Sequence, residues 1–152
     1  MDEQTWRRLV TDIAQSSPFW SHLGITIEHI DNGYARLVMA QSEQLSNAGG
    51  VIHGGALSSL ADSATAIAVL SLCDPQERVT TIEMKINFLT PAAPGKCICE
   101  ARVVRKGTTT AVCDVEIFDA QGAMVCKALI TYAVIHPQTR ELIAKARQAP
   151  TS

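Results

Sequence analysis

Residues 47–72 read NAGGVIHGGALSSLADSATAIAVLSL, and residues 79–89 read VTTIEMKINFL. The first stretch is a glycine-bearing loop that runs, at His53-Gly54-Gly55, straight into a long apolar helix pattern. Leu57, Leu60, Ala61, Ala64, Ile67 and Ala68 fall on one face, which predicts a helix over about 54–72, ended by Asp74-Pro75. Its many Ala and Ser residues allow a sheet to wrap closely around it. In the second stretch the period changes from 3.6 to 2. Thr80, Ile82, Met84, Ile86 and Phe88 alternate with Thr81, Glu83, Lys85 and Asn87, which predicts a strand with these two sets on opposite faces.

Upstream, Trp6, Leu9, Val10 and Ile13 form one apolar stripe, so residues 3–15 read as a helix stopped by Ser16-Ser17-Pro18. Ile25 and Ile27, the turn Asp31-Asn32-Gly33 and residues 34–41 read as a hairpin. Residues 42–52 read as a polar loop. Downstream, strands are expected over about 96–105, 109–118 and 123–135, joined by Lys106-Gly107 and by Asp119-Ala120-Gln121-Gly122 and closed by His136-Pro137. The tail from Gln138 reads as a short helix that frays. Strands joined by short turns are antiparallel neighbours, and the long helix has to cover a sheet face. The expected architecture is α+β: one domain over 1–152, with a curved antiparallel six-stranded sheet around a long central helix, plus an N-terminal helix. One helix cannot cover both faces of such a sheet, so a homodimer is expected, with sheets joining or packing.

The chain has 152 residues, 47% of them hydrophobic, with a net charge of −2. No Lys/Arg run is present, so nucleic acid is not an expected partner. No apolar stretch is long enough for a membrane span, and residues 1–20 lack the apolar core of a signal peptide, which points to a cytoplasmic protein. The five cysteines (Cys73, Cys97, Cys99, Cys113 and Cys126) form no C-x-x-C and read as buried, reduced thiols. The four histidines lack metal-ligand spacing, so no metal is expected.

Taken together, Asn47, His53-Gly54-Gly55, Asp62 and the stretch Thr81-Ile82-Glu83-Met84-Lys85-Ile86-Asn87-Phe88-Leu89-Thr90-Pro91 resemble the hotdog-fold acyl-CoA thioesterases of the phenylacetic-acid-degradation (PaaI-like) family. The likeness covers roughly residues 19–135. It implies a dimer, often paired into a tetramer, that hydrolyses acyl-coenzyme A with no cofactor, coenzyme A being part of the substrate. The active site would lie between subunits. By position the resemblance makes Asp62 the catalytic carboxylate, Gly54 the oxyanion-binding N–H, Asn47 the residue that places water or carbonyl, and Thr81 an assisting hydroxyl.

The residue chemistry is compatible with this. The first N–H groups of a helix have no intrahelical partner and sit at the positive end of its dipole. Gly54 and Gly55 allow a substrate to approach that backbone. Asp62, two turns on, shares a face with Ser58 and Thr65 by 100° steps; it is either a solvated side chain, a general base or a nucleophile. His53 is read as a base or as a residue that orients the loop, Asn47 as a turn cap or a substrate contact, and Thr81 as packing or catalytic. Ser58, on the face of Asp62, is read as a substrate contact. Arg105-Lys106-Gly107 is a basic turn, either solvated or docking the phosphates of coenzyme A. The acyl lining is expected from Ile67, Met84 and Phe88 or from Pro18-Phe19-Trp20, accepting aryl or short to medium fatty acyl groups. Two rival functions remain: an acyl-thioester hydratase or dehydratase of the same fold, and a non-catalytic acyl-CoA-binding protein.

Overall fold

The computed structural model describes residues 3–148; residues 1–2 and 149–152, the ends of the expected domain and tail, lie outside the described residues, as do the side chains of Glu3, Ile13 and residues 146–148. Helix α1 spans Glu3–Gln15 and buries Trp6 and Val10. A short helix α2, Pro18–Leu23, follows where the sequence suggested only a stop. Pro18 sits in its first turn, where a missing N–H costs nothing, and Gly24 ends it in the left-handed region at φ 66°. The hairpin is β1 (Ile25–Asp31) and β2 (Tyr34–Ala40). A 3-10 turn at Glu43–Leu45 lies inside the expected loop.

Helix α3, Gly54–Leu70, is the central element, and all six residues of its expected apolar face are buried. It ends two residues early because Ser71 caps it and the Trp6 indole N–H donates to the Leu70 carbonyl at 3.1 Å, meeting one of the orphan acceptors of the last turn. Then come β3 (Arg78–Phe88), β4 (Lys96–Lys106), β5 (Thr110–Phe118), β6 (Met124–Ile135) and α4 (Pro137–Gln148). The six strands form one antiparallel sheet in the order β1-β2-β4-β5-β6-β3. Because β2 lies near one edge and β3 at the other, α3 must carry the chain across the sheet. It packs on β2 to β6 as it does so. The inward side chains of β4 to β6, among them Cys97, Cys99, Cys113 and Ile130, close the core against it.

Bulges sharpen the curvature and re-aim side chains. In β3 the register shifts between Thr81 and Glu83, and in β4 between Val103 and Arg105. The extra residues, Ile82 and Val104, are 56% and 66% exposed, which accounts for two large apolar side chains left in solvent. The β3 bulge also corrects the expected alternation. Thr81 pairs with the inward-facing Tyr132 and Met84 with the inward-facing Ile130, so Thr81 joins the face of Met84 and Ile86 instead of opposing it.

The outer face of the sheet carries its own partners. Arg36 bridges Glu28 at 3.0 Å and Glu100 at 3.1 Å, and Lys127 reaches Asp114 at 2.6 Å and Glu116 at 2.9 Å. All five cysteines are free and buried, as expected. Burial pushes the Cys73 and Cys113 thiols up to about 12 and those of Cys97 and Cys126 up to about 11, which makes them poor nucleophiles. No described helix is long and apolar enough to cross a membrane.

Candidate active site

Asp62 sits midway along α3 and is half-buried. Two hydroxyls donate to its Oδ1: Thr81 Oγ1 at 2.8 Å from β3 and Tyr132 at 2.7 Å from β6, the phenol oxygen also lying 2.9 Å from the Asp62 carbonyl. Among the described residues Oδ2 has no partner. Tyr132 is 3% exposed. Burial, reinforced by the bond to Asp62, pushes its phenol well above the ordinary value, so it stays a donor. Tyr132 went unnoticed in the sequence. The one available signal was a hydroxyl among the inward positions Ala128, Ile130 and Val134 of β6, where a buried Tyr O–H needs a partner. Thr65, expected beside Asp62, is instead fully buried and bonds the Ala61 carbonyl at 2.9 Å, because α3 is enclosed over more of its circumference than one apolar stripe implies.

The start of α3 holds a second group. His53 is the N-cap, and its Nδ1 accepts from the Gly55 N–H at 2.8 Å. That bond places the neutral ring's proton on Nε2 and engages the Gly55 amide within the cap. The Gly54 N–H has no partner among the described residues. A Cβ at Gly54 would lie 3.2 Å from the Phe88 ring, which covers the helix start while remaining 53% exposed. Asn47 Oδ1 accepts from Gly49 N–H at 2.8 Å, shaping the loop, and the residue is exposed. Ser58 donates back to the Gly54 carbonyl at 2.9 Å. Asn47, Gly54, Leu57, Phe88, Leu89 and Pro91 border a cleft of about 300 Å³. Of the expected acyl lining, Phe88 borders it, whereas Ile67 and Trp20 belong to the core, at 2% and 8% exposure.

Asp62 and Thr81 are thus together, and Asn47, His53 and Gly54 are together, but the two groups are apart. Eight residues of helix separate Gly54 from Asp62, about 12 Å along the axis. The same spacing keeps His53 and Asp62 of one chain from acting as a hydratase-type pair.

The basic turn is the third group, and its two cations part. Arg105 is exposed, but Lys106 is turned in, its Nζ 3.5 Å from the buried Glu77 carboxylate. Glu77 also accepts from the Asp74 N–H at 3.0 Å and lies 2.9 Å from His136 Nδ1. Burial works to raise the Glu77 carboxyl, but the Asp74 N–H and Lys106 outweigh it and hold it below the ordinary range. The Gly107 N–H donates to the Thr110 carbonyl at 2.8 Å, closing the hairpin.

A long helix held across one curved antiparallel sheet is the hotdog fold. The sequence profile of the Thioesterase superfamily matches residues 49–126, and the chain belongs to that family, on its PaaI-like branch. The 1,4-dihydroxy-2-naphthoyl-CoA hydrolase of Escherichia coli is 26% identical over 74% of this chain and 83% of its own length. The solved PaaI protein from the phenylacetic acid degradation operon of E. coli is 30% identical, covering 82% of this chain and 88% of that one with a TM-score of 0.75. A hypothetical thioesterase protein of Streptococcus pneumoniae solved with coenzyme A is 29% identical, over 74% of this chain and 86% of that one, with a TM-score of 0.68.

Proposed function

We propose that this protein hydrolyses an aryl or short to medium fatty acyl-CoA to the free acid and coenzyme A, at a site built by two copies of the chain. The observation that carries this reading is the division of parts within one chain: a carboxylate anchored by two hydroxyls, and an unpartnered amide about 12 Å away. Apposing two chains about a two-fold axis brings Asp62 of one to Gly54 of its partner and forms two such sites. The seam is the free edge of β3, which exposes Ile82 and Phe88, whereas the outer face of the sheet carries several ion pairs of its own.

In the reaction, the thioester carbonyl oxygen accepts from the Gly54 N–H, with Asn47 beside it at the cleft. Asp62 Oδ2 takes a proton from water as the water oxygen bonds to the carbonyl carbon. The tetrahedral intermediate collapses, the C–S bond breaks, and coenzyme A leaves as thiolate that takes up the proton held by Asp62, which restores the carboxylate. Thr81 and Tyr132 hold Oδ1 so that Oδ2 faces the water. One oxyanion donor is worth about 3–4 kcal/mol of transition-state stabilisation, and a general base about 10²–10⁴-fold in rate. The hydrolase names of relatives that share most of this chain's length favour hydrolysis over hydration. The S. pneumoniae structure with coenzyme A supports the same ligand here.

The test is thiol release from acyl-CoAs of graded chain length plus an aryl-CoA, with wild type and Asp62→Asn. Wild type is expected to release thiol and Asp62→Asn to fold normally and lose at least about 10²-fold in kcat. Substantial turnover by Asp62→Asn would remove Asp62 from the mechanism. Tight acyl-CoA binding by wild type without thiol release would make the protein a binder.

A further inference from the structure

The segment that joins β3 to β4, residues 89–95, forms one wall of the cleft beside Gly54 through Leu89, Pro91 and Ala92. Strand order dictates its path. β3 pairs with β6 at the edge, and β4 lies beyond β6 and β5, so the connection crosses the end of the sheet over the β5–β6 turn, residues 119–123. Main-chain bonds fix the crossing at its two ends: the Leu89 N–H donates to the Val125 carbonyl at 2.9 Å, and the Gln41 N–H to the Gly95 carbonyl at 2.7 Å. Pro91 and Pro94 have no N–H to offer. Between the ends, the one hydrogen bond among the described residues runs from the Ala93 N–H to Asp119 Oδ2, at 3.0 Å.

Asp119 is 4% exposed. Its Oδ1 accepts from the Gln121 N–H at 2.9 Å and the Ala123 N–H at 3.0 Å, which folds the turn. The carboxylate thus divides its oxygens between two segments, Oδ1 to its own turn and Oδ2 to the crossing. The Ala93 N–H leads the donors that hold its carboxyl below the ordinary range, against the effect of burial. The two segments also touch. A Cβ at Gly95, whose φ is 128°, would lie 2.9 Å from the Ala120 Cβ, so a glycine lets the crossing pass this close.

The cleft itself indicates what this wall selects. Its lining, with Leu57, Phe88, Leu89 and Pro91, carries no charged side chain, which suits a hydrocarbon group and not the phosphates of coenzyme A. About 300 Å³ is the small end of the range for a ligand pocket, so a small shift of one wall changes which acyl groups fit. Ala92, the lining residue next to the Asp119 bond, is itself buried. We propose that Asp119 is a positioning residue: it pins the 89–95 crossing to the β5–β6 turn and thereby sets the acyl size that the cleft beside Gly54 accepts. This inference rests on the reading of that cleft as part of a thioester site.

The test uses the full-length protein with S-alkyl-CoA thioethers of graded chain length, which bind without being hydrolysed, and with the matching acyl-CoA substrates. Asp119→Asn keeps one carbonyl oxygen for the two turn amides and turns its NH2 toward the Ala93 N–H, so the turn survives and the link to the crossing is lost. Ala93→Pro removes the same bond from its other end; Ala93 already precedes a proline, which favours the extended backbone that a proline also adopts. In each variant, affinity and kcat/KM for the longest chains relative to the shortest are expected to rise about tenfold, the scale of one added methylene in an apolar pocket. Binding of coenzyme A itself is expected to stay unchanged. The double variant is expected to match the single ones, because both changes remove one bond. An unchanged length profile in both variants would overturn the proposal, as would equal losses at every chain length, equal changes in coenzyme A and thioether binding, or a wild type that binds all lengths alike. A length-selective wild type that releases no thiol, and whose selectivity shifts in both variants, supports the positioning role and sinks the hydrolysis reading alone.

Discussion

Asp62 is held at one oxygen and left open at the other. Tyr132→Phe and Thr81→Val each delete one donor to Oδ1 without changing the side-chain outline. Each is expected to lower kcat about tenfold with little change in KM, and to cost stability about 1 kcal/mol. Steady-state kinetics and denaturant titration check this; a drop in KM affinity at constant kcat would mean that the hydroxyls contact substrate instead. At the other half, Gly54→Ala puts a methyl within 3.2 Å of the exposed Phe88 ring, which can swing aside. The fold should survive, while the methyl narrows the cleft by the helix start and activity falls. At this scale the sequence was legible where a residue type is unusual for its place: an Asp inside an apolar helix, glycines at a helix start. It was silent on Tyr132, because a tyrosine on an inward strand face looks like ordinary core until its partner across the sheet is known.

The elements show why. Reading β3 as an uninterrupted period of two set Thr81 opposite Met84, and one extra residue at Ile82 reversed that relation. A bulge leaves no mark in an alternation pattern, since both neighbours remain plausible strand residues. Pro18 similarly starts α2 as well as ending α1. The helix-then-strand order, by contrast, was readable from the period change alone, and the strand boundaries fell within about two residues. The end of the sheet where β4, β6 and the loop before β3 meet is tied by the Glu77 carboxylate. Its folded-state value lies below the ordinary one, so its contribution to stability is complete above the ordinary Glu range and is lost as pH falls through and below about 4. Glu77→Gln is expected to lower Tm at pH 7 and to flatten the loss of Tm between pH 6 and 3. Parallel curves for variant and wild type would show that the carboxylate's charge is not what ties that end.

In the whole molecule as proposed, two chains meet at β3. An unpaired eleven-residue edge with Ile82 and Phe88 exposed invites a partner, and Ile82→Lys is expected to shift the native mass measured by light scattering from dimer toward monomer, with activity falling in step. A fully active monomer would contradict it. A further pairing into a tetramer is an expectation from the family resemblance, read in the same experiment. The most direct measurement is complementation between two inactive chains. Gly54→Pro removes the amide hydrogen at the first position of α3, where proline's φ is already suited and His53 before it is extended at φ −70°, ψ 136°. Mixed and allowed to exchange subunits with Asp62→Asn, it leaves one intact site in each mixed dimer. Thiol release should return to about one quarter of wild type, the share expected from random pairing of two-fold dimers. No recovery in a mixture shown to contain mixed dimers would place Asp62 and Gly54 in the same chain's chemistry, or outside the chemistry altogether.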